Sequence, residues 1–432
     1  MDSDHAKAPV GMASSLDPAA GPASGAGPTT SSRIASNRAA IVYFGLALLL
    51  VAVAVVGSGT DTVLGRWVAF IGAGSPFQEV VAEAVGASAS AQQVDTILGP
   101  FSEIAERLSV ELYAAVLPSV AHRLNWFILL VTLVLAVALY VLRGGRGAKG
   151  SDGEERPAGL REYVLPRAIY THPSARVDIG LYLIDYAMWA IWGFLLLGTI
   201  GSRVEAAVIA TLMNVFGESP HLQMNLGWQL GYGVVTLLAL DLAFFLYHLM
   251  MHRTRIGWAI HQVHHAAEVL TPLTGYRLHF LESPINLTFT WVAVGLVSGV
   301  FAWAFDGGIT QFTVMNVAVL MFLFTLNANF RHYHVCLRYP RWLEYWLLSP
   351  GMHHTHHSRR SEHWDSNLGQ VTSIWDRLYG TLYIAEPFEA TPWGLPEESQ
   401  RECRTLRQNL VAPFRDIYRI VRGRIMWGMT RR

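Results

Sequence analysis

YHLMMHRTRIGWAIHQVHH, residues 247–265, decides how this chain is read. It holds five histidines in two sets, His248 with His252, and His261 with His264 and His265. Residues three and four apart share one face of a helix, so each set can aim its imidazoles at a common point. About ninety residues on, Met352–Ser358 (MHHTHHS) repeats the His-x-x-His-His spacing at His353, His356 and His357. Of the 17 histidines in the chain, 13 fall between His248 and His363, and that clustering points to metal.

The remainder of the chain says where such a site would lie. The sequence is 52% hydrophobic and only 15% charged, with 14 tryptophans, the profile of a protein that buries apolar surface in lipid as well as in a core. A formal net charge of zero gives no reason to expect a nucleic-acid partner. Two separated cysteines, Cys336 and Cys403, exclude a disulfide framework and a thiolate cluster, so any metal must rest on imidazoles, carboxylates and water.

Residues 1–37, rich in Ala, Ser, Pro and Gly, read as a disordered tail rather than a signal peptide. Ala39–Gly57 is uncharged and long enough to cross a bilayer, and Arg33 and Arg38 before it place the N-terminus in the cytoplasm. The acidic stretch from Ser58 to about Leu124 is then external, Trp126–Leu142 is a second span, and a Gly-rich basic linker beginning at Arg143 returns to the cytoplasm. Ile179–Ile200, Leu226–Met251, Ile285–Trp303 and Ile309–Asn327 follow as spans, with Val204–Phe216 a short re-entrant or interfacial piece. The expected fold is therefore all-α, a polytopic membrane bundle of about six spans. Its expected divisions are a tail (1–37), two extra spans with an external segment and basic linker (38–150), a histidine-bearing domain (151–386) and a basic tail in the cytosol or at the membrane surface (387–432). Counting crossings puts both termini and every histidine cluster on the cytoplasmic side, although Arg and Lys alone set that topology.

Imidazole suits zinc, copper, nickel and iron, and eight or more histidines with few carboxylates are too many for one ion. The expectation is two metals held by His248, His252, His261, His264, His265, His353, His356 and His357, with His279, His332 and His334 able to complete the shell and His354 and His363 as further candidates. A lone histidine is more often a hydrogen-bonded core residue, a reading open to each extra one but not to two repeats of the same spacing on one side. Asp241, two helical turns before His248, is an acid within a span. It either orients a ligand imidazole or makes an interhelical polar contact, and the first is preferred. Trp375–Thr381 (WDRLYGT) reads as a structural brace after the ligand helix.

The His-x3-His, His-x2-His-His, His-x2-His-His series resembles the fatty acid hydroxylase / sterol desaturase superfamily of integral-membrane oxygenases. Trp258–His265 followed by Glu268, and the closing Asn367–Thr381, look like the branch with alkylglycerol monooxygenase and bacterial sterol-desaturase-like proteins. The resemblance covers roughly residues 178–386. It implies a four-helix membrane bundle capped by a cytosolic histidine-rich lobe, two iron ions, and use of O2 to hydroxylate a C–H bond of a membrane lipid. It also implies an external electron donor, expected as a separate electron-transfer protein or reductant. Desaturation on the same scaffold is the near rival. A metal-binding or transport protein without oxygenase activity is the rival from another class, disfavoured because the histidines collect at one interface rather than mid-bilayer. The sequence leaves the oligomeric state open.

Overall fold

The computed structural model describes Leu124 and residues 126–142, 159–192, 200–306, 328–385 and 392–429. Ala39–Gly57, the segment 58–123 and Ile309–Asn327 lie outside the described residues, as does the tail 1–37. Among the described residues every regular element is a helix, and extended pairing is limited to isolated bridges.

The long helices are α1 (Trp126–Leu142), α2 (Pro173–Trp192), α3 (Ile200–Phe216), α4 (Leu226–Arg253), α5 (Arg255–His265) and α6 (Glu282–Ala304). Three short ones, α7 (Arg341–Glu344), α8 (Pro350–His356) and α9 (Ile374–Tyr379), precede the C-terminal α10 (Leu406–Met429). Two segments, Gly227–Arg253 and Glu282–Ala304, are long and apolar enough to cross a membrane, matching two expected spans with slightly wider bounds. α1 coincides with the expected second span, Trp126–Leu142, and at 17 residues is shorter than those two segments.

α4 and α6 run antiparallel, because the residues before α4 pair with those ending α6: Leu222 bridges Phe305. Tyr232 and Phe301 meet edge to face across the pair, ring centroids 4.9 Å apart. α3 lies along α6 in the same direction, and small residues permit the close approach. A Cβ on Gly295 would stand 2.6 Å from the Gly201 carbonyl oxygen, and one on Gly299 would stand 2.6 Å from Val208 Cβ. This four-residue glycine spacing lets helix backbones pack where lipid offers no hydrophobic drive.

The expected Ile179–Ile200 span is described as far as Trp192 and again at Ile200. Its helix begins earlier, at Pro173, and ends at Trp192. Asp178 accepts from Thr274 and Arg277, Asp185 accepts from Ser283 Oγ, and Trp192 Nε1 donates to the Phe280 carbonyl. All these anchors lie on the 272–283 connection, so α2 lies along the histidine-bearing end of the bundle. Both acids are buried and turned toward protein, the side on which a bundle helix keeps its ionisable residues, while Ile179, Leu183 and Ile191 are exposed. The descending helix beside α6 is α3, whose latter part was expected to be only a short re-entrant piece.

α5 begins after a one-residue break at Thr254, whose hydroxyl caps it by accepting from Gly257 N at 3.0 Å. The break folds α5 back beside α4, and Gly257 fits because any Cβ there would meet the Met250 carbonyl at 2.7 Å. α10 packs on the outer side of α5, with Gln262 Nε2 donating to Asp416 at 2.8 Å.

Candidate metal centre

Two groups of histidines converge where α4, α5 and α8 meet. His248, His252, His261, His265 and His356 form the first, and His264, His332, His353 and His357 the second. Within each, the nitrogens that could bind metal lie within 4.8 Å of one another. The groups adjoin, since His265 and His357 stack with centroids 4.6 Å apart and His264 lies 4.6 Å from His357.

The first group is oriented mainly by one strap of backbone, residues 365–368. Asp365 Oδ1 lies 3.1 Å from His252 Nδ1, Ser366 O 2.8 Å from His356 Nδ1, and Leu368 O 2.7 Å from His248 Nδ1. Such a tight presentation needs an unusual backbone, and Asp365 and Asn367 both take positive φ, 55° and 54°. The Asn367 side chain ties the strap to Met352 O and to both backbone groups of Tyr383. Asp376 accepts from Leu368 N, Gly369 N and Thr381 Oγ1, which confirms the bracing role read for that stretch. The fourth member, His261, donates from Nδ1 to Glu282 at 2.6 Å, and Glu282 also accepts from the Tyr247 hydroxyl.

These partners settle the tautomers. A ring that donates from Nδ1 keeps a lone pair on Nε2, the state that binds metal. His248 and His261 both do so, yet their Nε2 atoms lie only 3.0 Å apart. Two lone pairs facing each other at that distance repel unless a cation lies between them. His252, His265 and His356 each have a buried Nε2 with no hydrogen-bond partner. In the second group the Nε2 of His332 is 3.2 Å from His264, 3.1 Å from His357 and 3.0 Å from His353. His264 Nδ1 rests on the Arg277 carbonyl at 3.3 Å. Burial holds His261 and His264 near a pKa of about 3, and pushes His265, His353, His356 and His357 well below the ordinary imidazole value. Neutral imidazoles whose nitrogens converge fit metal ions.

All eight motif histidines fall in the two groups, and of the three extra ligands expected, His332 joins them. His279 and His334 do not: His279 Nε2 donates to Leu410 O at 3.2 Å, and His334 Nε2 to Tyr163 O at 2.8 Å. His334 is two residues from His332 on an irregular turn, so the two rings diverge. His354 donates to Phe330 O and His363 packs against the Tyr383 ring, both outside the groups.

Asp241 also differs from the preferred expectation. It touches no imidazole; it accepts from Val371 N, Thr372 N, Thr372 Oγ1 and Trp375 Nε1, anchoring the chain that follows the strap. An acid within a bundle takes the donors nearest to it, and here the returning loop supplies four.

Sequence reasoning missed Glu282, Asp365 and Arg277. Arg277 is buried and donates to Val263 O, Ser174, Asp178 and Asn409, fixing the carbonyl that orients His264. The one available signal was Glu282, an acid opening an apolar segment.

Among the described residues the fold is helical, and two histidine groups that could hold metal lie beside two helices long and apolar enough to cross a membrane. Residues 233–381, which contain all nine grouped histidines, match the fatty acid hydroxylase family model. The chain is 30% identical over 149 residues to alkylglycerol monooxygenase of Xenopus tropicalis, covering 34% of this chain and 30% of that protein. It is 26% identical over 193 residues to the Homo sapiens alkylglycerol monooxygenase, covering 42% and 40%. Ornithine lipid hydroxylase OlsE of Rhizobium tropici is 23% identical over 195 residues, covering 44% and 54%. The chain thus spans about a third to a half of the length of these curated relatives. No solved structure matches it.

Proposed function

We propose that the protein is a membrane-bound oxygenase that hydroxylates a C–H bond of a lipid with O2, using two iron ions. The observation that carries the metal reading is the 3.0 Å approach of His248 Nε2 to His261 Nε2 while both rings donate from Nδ1. His248, His252, His261, His265 and His356 would hold one ion, and His264, His332, His353 and His357 the other. Bound iron would supply the redox chemistry of O2 activation, which protein side chains cannot perform alone. Iron rather than zinc is favoured by the match to the hydroxylase family, and a lipid substrate by the relatives' names.

This chain's own residues do the rest. The 365–368 strap and Glu282 aim the nitrogens of His248, His252, His261 and His356 and hold those four rings in the metal-binding tautomer. Burial keeps water from the histidines and keeps them neutral. α4 and α6 would place the site at the cytoplasmic membrane face, where a lipid can approach from the bilayer and a separate donor can deliver electrons from water. The divisions expected at 1–37, 38–150, 151–386 and 387–432 belong to this same proposal.

The test is product analysis after incubating the purified protein with iron, a chemical reductant, 18O2 and mixed membrane lipids. A lipid gaining one labelled oxygen supports hydroxylation. Loss of two hydrogens without label indicates the desaturase rival, and no O2 consumption indicates a binding role.

A further inference from the structure

The short helices α7 and α9 carry a group of large side chains that the metal site does not use. Trp342 is 68% exposed, Trp346 56% and Leu378 77%, with Tyr345 and Tyr379 also exposed. The two helices adjoin: Ser373 N donates to Trp346 O, Arg377 donates to Tyr345 O, and the Arg377 guanidinium lies 4.9 Å over the Trp346 ring.

Their position along α4 is fixed by two contacts. Trp375 Nε1 donates to Asp241 at 3.0 Å, and the Tyr379 ring lies 5.9 Å from that of Phe245. α9 therefore runs alongside α4 in the same direction, four residues matching four. At 1.5 Å per residue, Asp241 and Phe245 lie roughly 18 Å and 12 Å in from the Arg253 end of α4, whereas His248 lies only about 7 Å in. The exposed side chains are thus deeper along this apolar helix than the metal ligands are. α4 itself exposes Val235 and Leu246 on either side of that stretch.

We infer that the α7–α9 surface is set into the lipid bilayer, so that part of the histidine-bearing lobe lies beside α4 below the level of the metal centre. The occupant is the boundary between acyl chains and headgroups. Trp and Tyr favour that boundary, having an apolar body and a polar tip. Arg377, stacked on Trp346, suits the headgroup level, where a long side chain keeps its charge in the wet layer. A patch of this kind facing water would be a liability. The inference rests on the proposal that α4 crosses the membrane.

The test is collision accessibility of nitroxide labels on full-length protein in phospholipid nanodiscs. Labels are placed singly by Leu378→Cys, Trp346→Cys, Val235→Cys on α4 and Glu397→Cys on the lobe, with the unsubstituted protein correcting for Cys336 and Cys403. Lipid-soluble O2 and a water-soluble nickel chelate are the two collision reagents. The expected result is an O2-to-nickel ratio at Leu378 and Trp346 several-fold above that at Glu397 and near that at Val235. Ratios at Leu378 and Trp346 equal to that at Glu397, with Val235 still in lipid, overturn the inference alone and leave a water-facing surface. Exclusion of both reagents from Leu378 and Trp346 also overturns it, because protein rather than lipid then covers them. Nickel-favoured collisions at Val235 overturn the membrane reading of α4 as well.

Discussion

Replacing Glu282 with Gln separates the two halves of the metal centre. Glu282 is fully buried, and its Oε1 accepts from His261 Nδ1 at 2.6 Å and from the Tyr247 hydroxyl. Gln has the same shape and keeps an acceptor oxygen but removes the negative charge. A hydrogen bond to a charged group contributes about 1.5–3 kcal/mol against about 1 for a neutral one, so the change withdraws roughly 1–2 kcal/mol from the orientation of His261. That corresponds to about a five- to thirty-fold weaker metal at the His248 group, overlapping the loss of about 10–100-fold usual when a partner behind a ligand is removed. The other group feels the change less, because Glu282 acts on His264 through its charge alone and the Arg277 carbonyl orients that ring. Anaerobic Co2+ titration of metal-free protein against a competing chelator, followed by the visible ligand-field bands, reads both ions. One ion should weaken by that factor and the other by clearly less. Equal weakening of both ions, or of neither, would refute the assignment of Glu282 to one group.

Other consequences follow from the same geometry. Asn367→Ala removes the three hydrogen bonds that tie the strap to Met352 and Tyr383, and should cost about 2–4 kcal/mol in denaturant unfolding while weakening the metal of the His248 group first; unchanged stability would contradict the strap's role. Metal-free protein should lose stability as pH falls below about 6.5, and not above it. The sign follows because His261 and His264 protonate near 6.5 when unfolded but only at about 3 when folded, so the unfolded state binds more protons in between. Denaturant midpoints measured at about pH 7.5 and about pH 5 should therefore differ, and equal midpoints would count against buried neutral imidazoles. Gly299→Val places side-chain atoms where Val208 already sits 2.6 Å from a Cβ, so it should part α3 from α6 and lower the thermal midpoint in detergent, whereas a wild-type midpoint would mean the helices are not so packed.

The helical class and eight of the nine grouped histidines were legible in the sequence because both depend on local spacing. A helix converts i, i+3 and i+4 into one face, and α4, α5 and α8 do so at the motif positions. His332 was only one of three extra candidates, because an irregular turn gives no period to separate it from His334. Glu282 and the carbonyls of Ser366, Leu368 and Arg277 were invisible for a related reason. Backbone acceptors carry no residue signature, and their partners are ten to 120 positions away in sequence. The partners of Asp178 and Asp185 on α2, Thr274 and Ser283, stand 96 and 98 positions away, so apolar content carried no sign of them.

The most direct test of the central claim is metal content per chain, measured by mass spectrometry on protein from iron-supplied cells and on two variants. Wild-type protein should carry two irons. His356→Ala and His353→Ala should each retain one, because each removes a ligand from a different group. Fewer than two metals in the wild type, or loss of the same single ion in both variants, would contradict a centre built from two histidine groups.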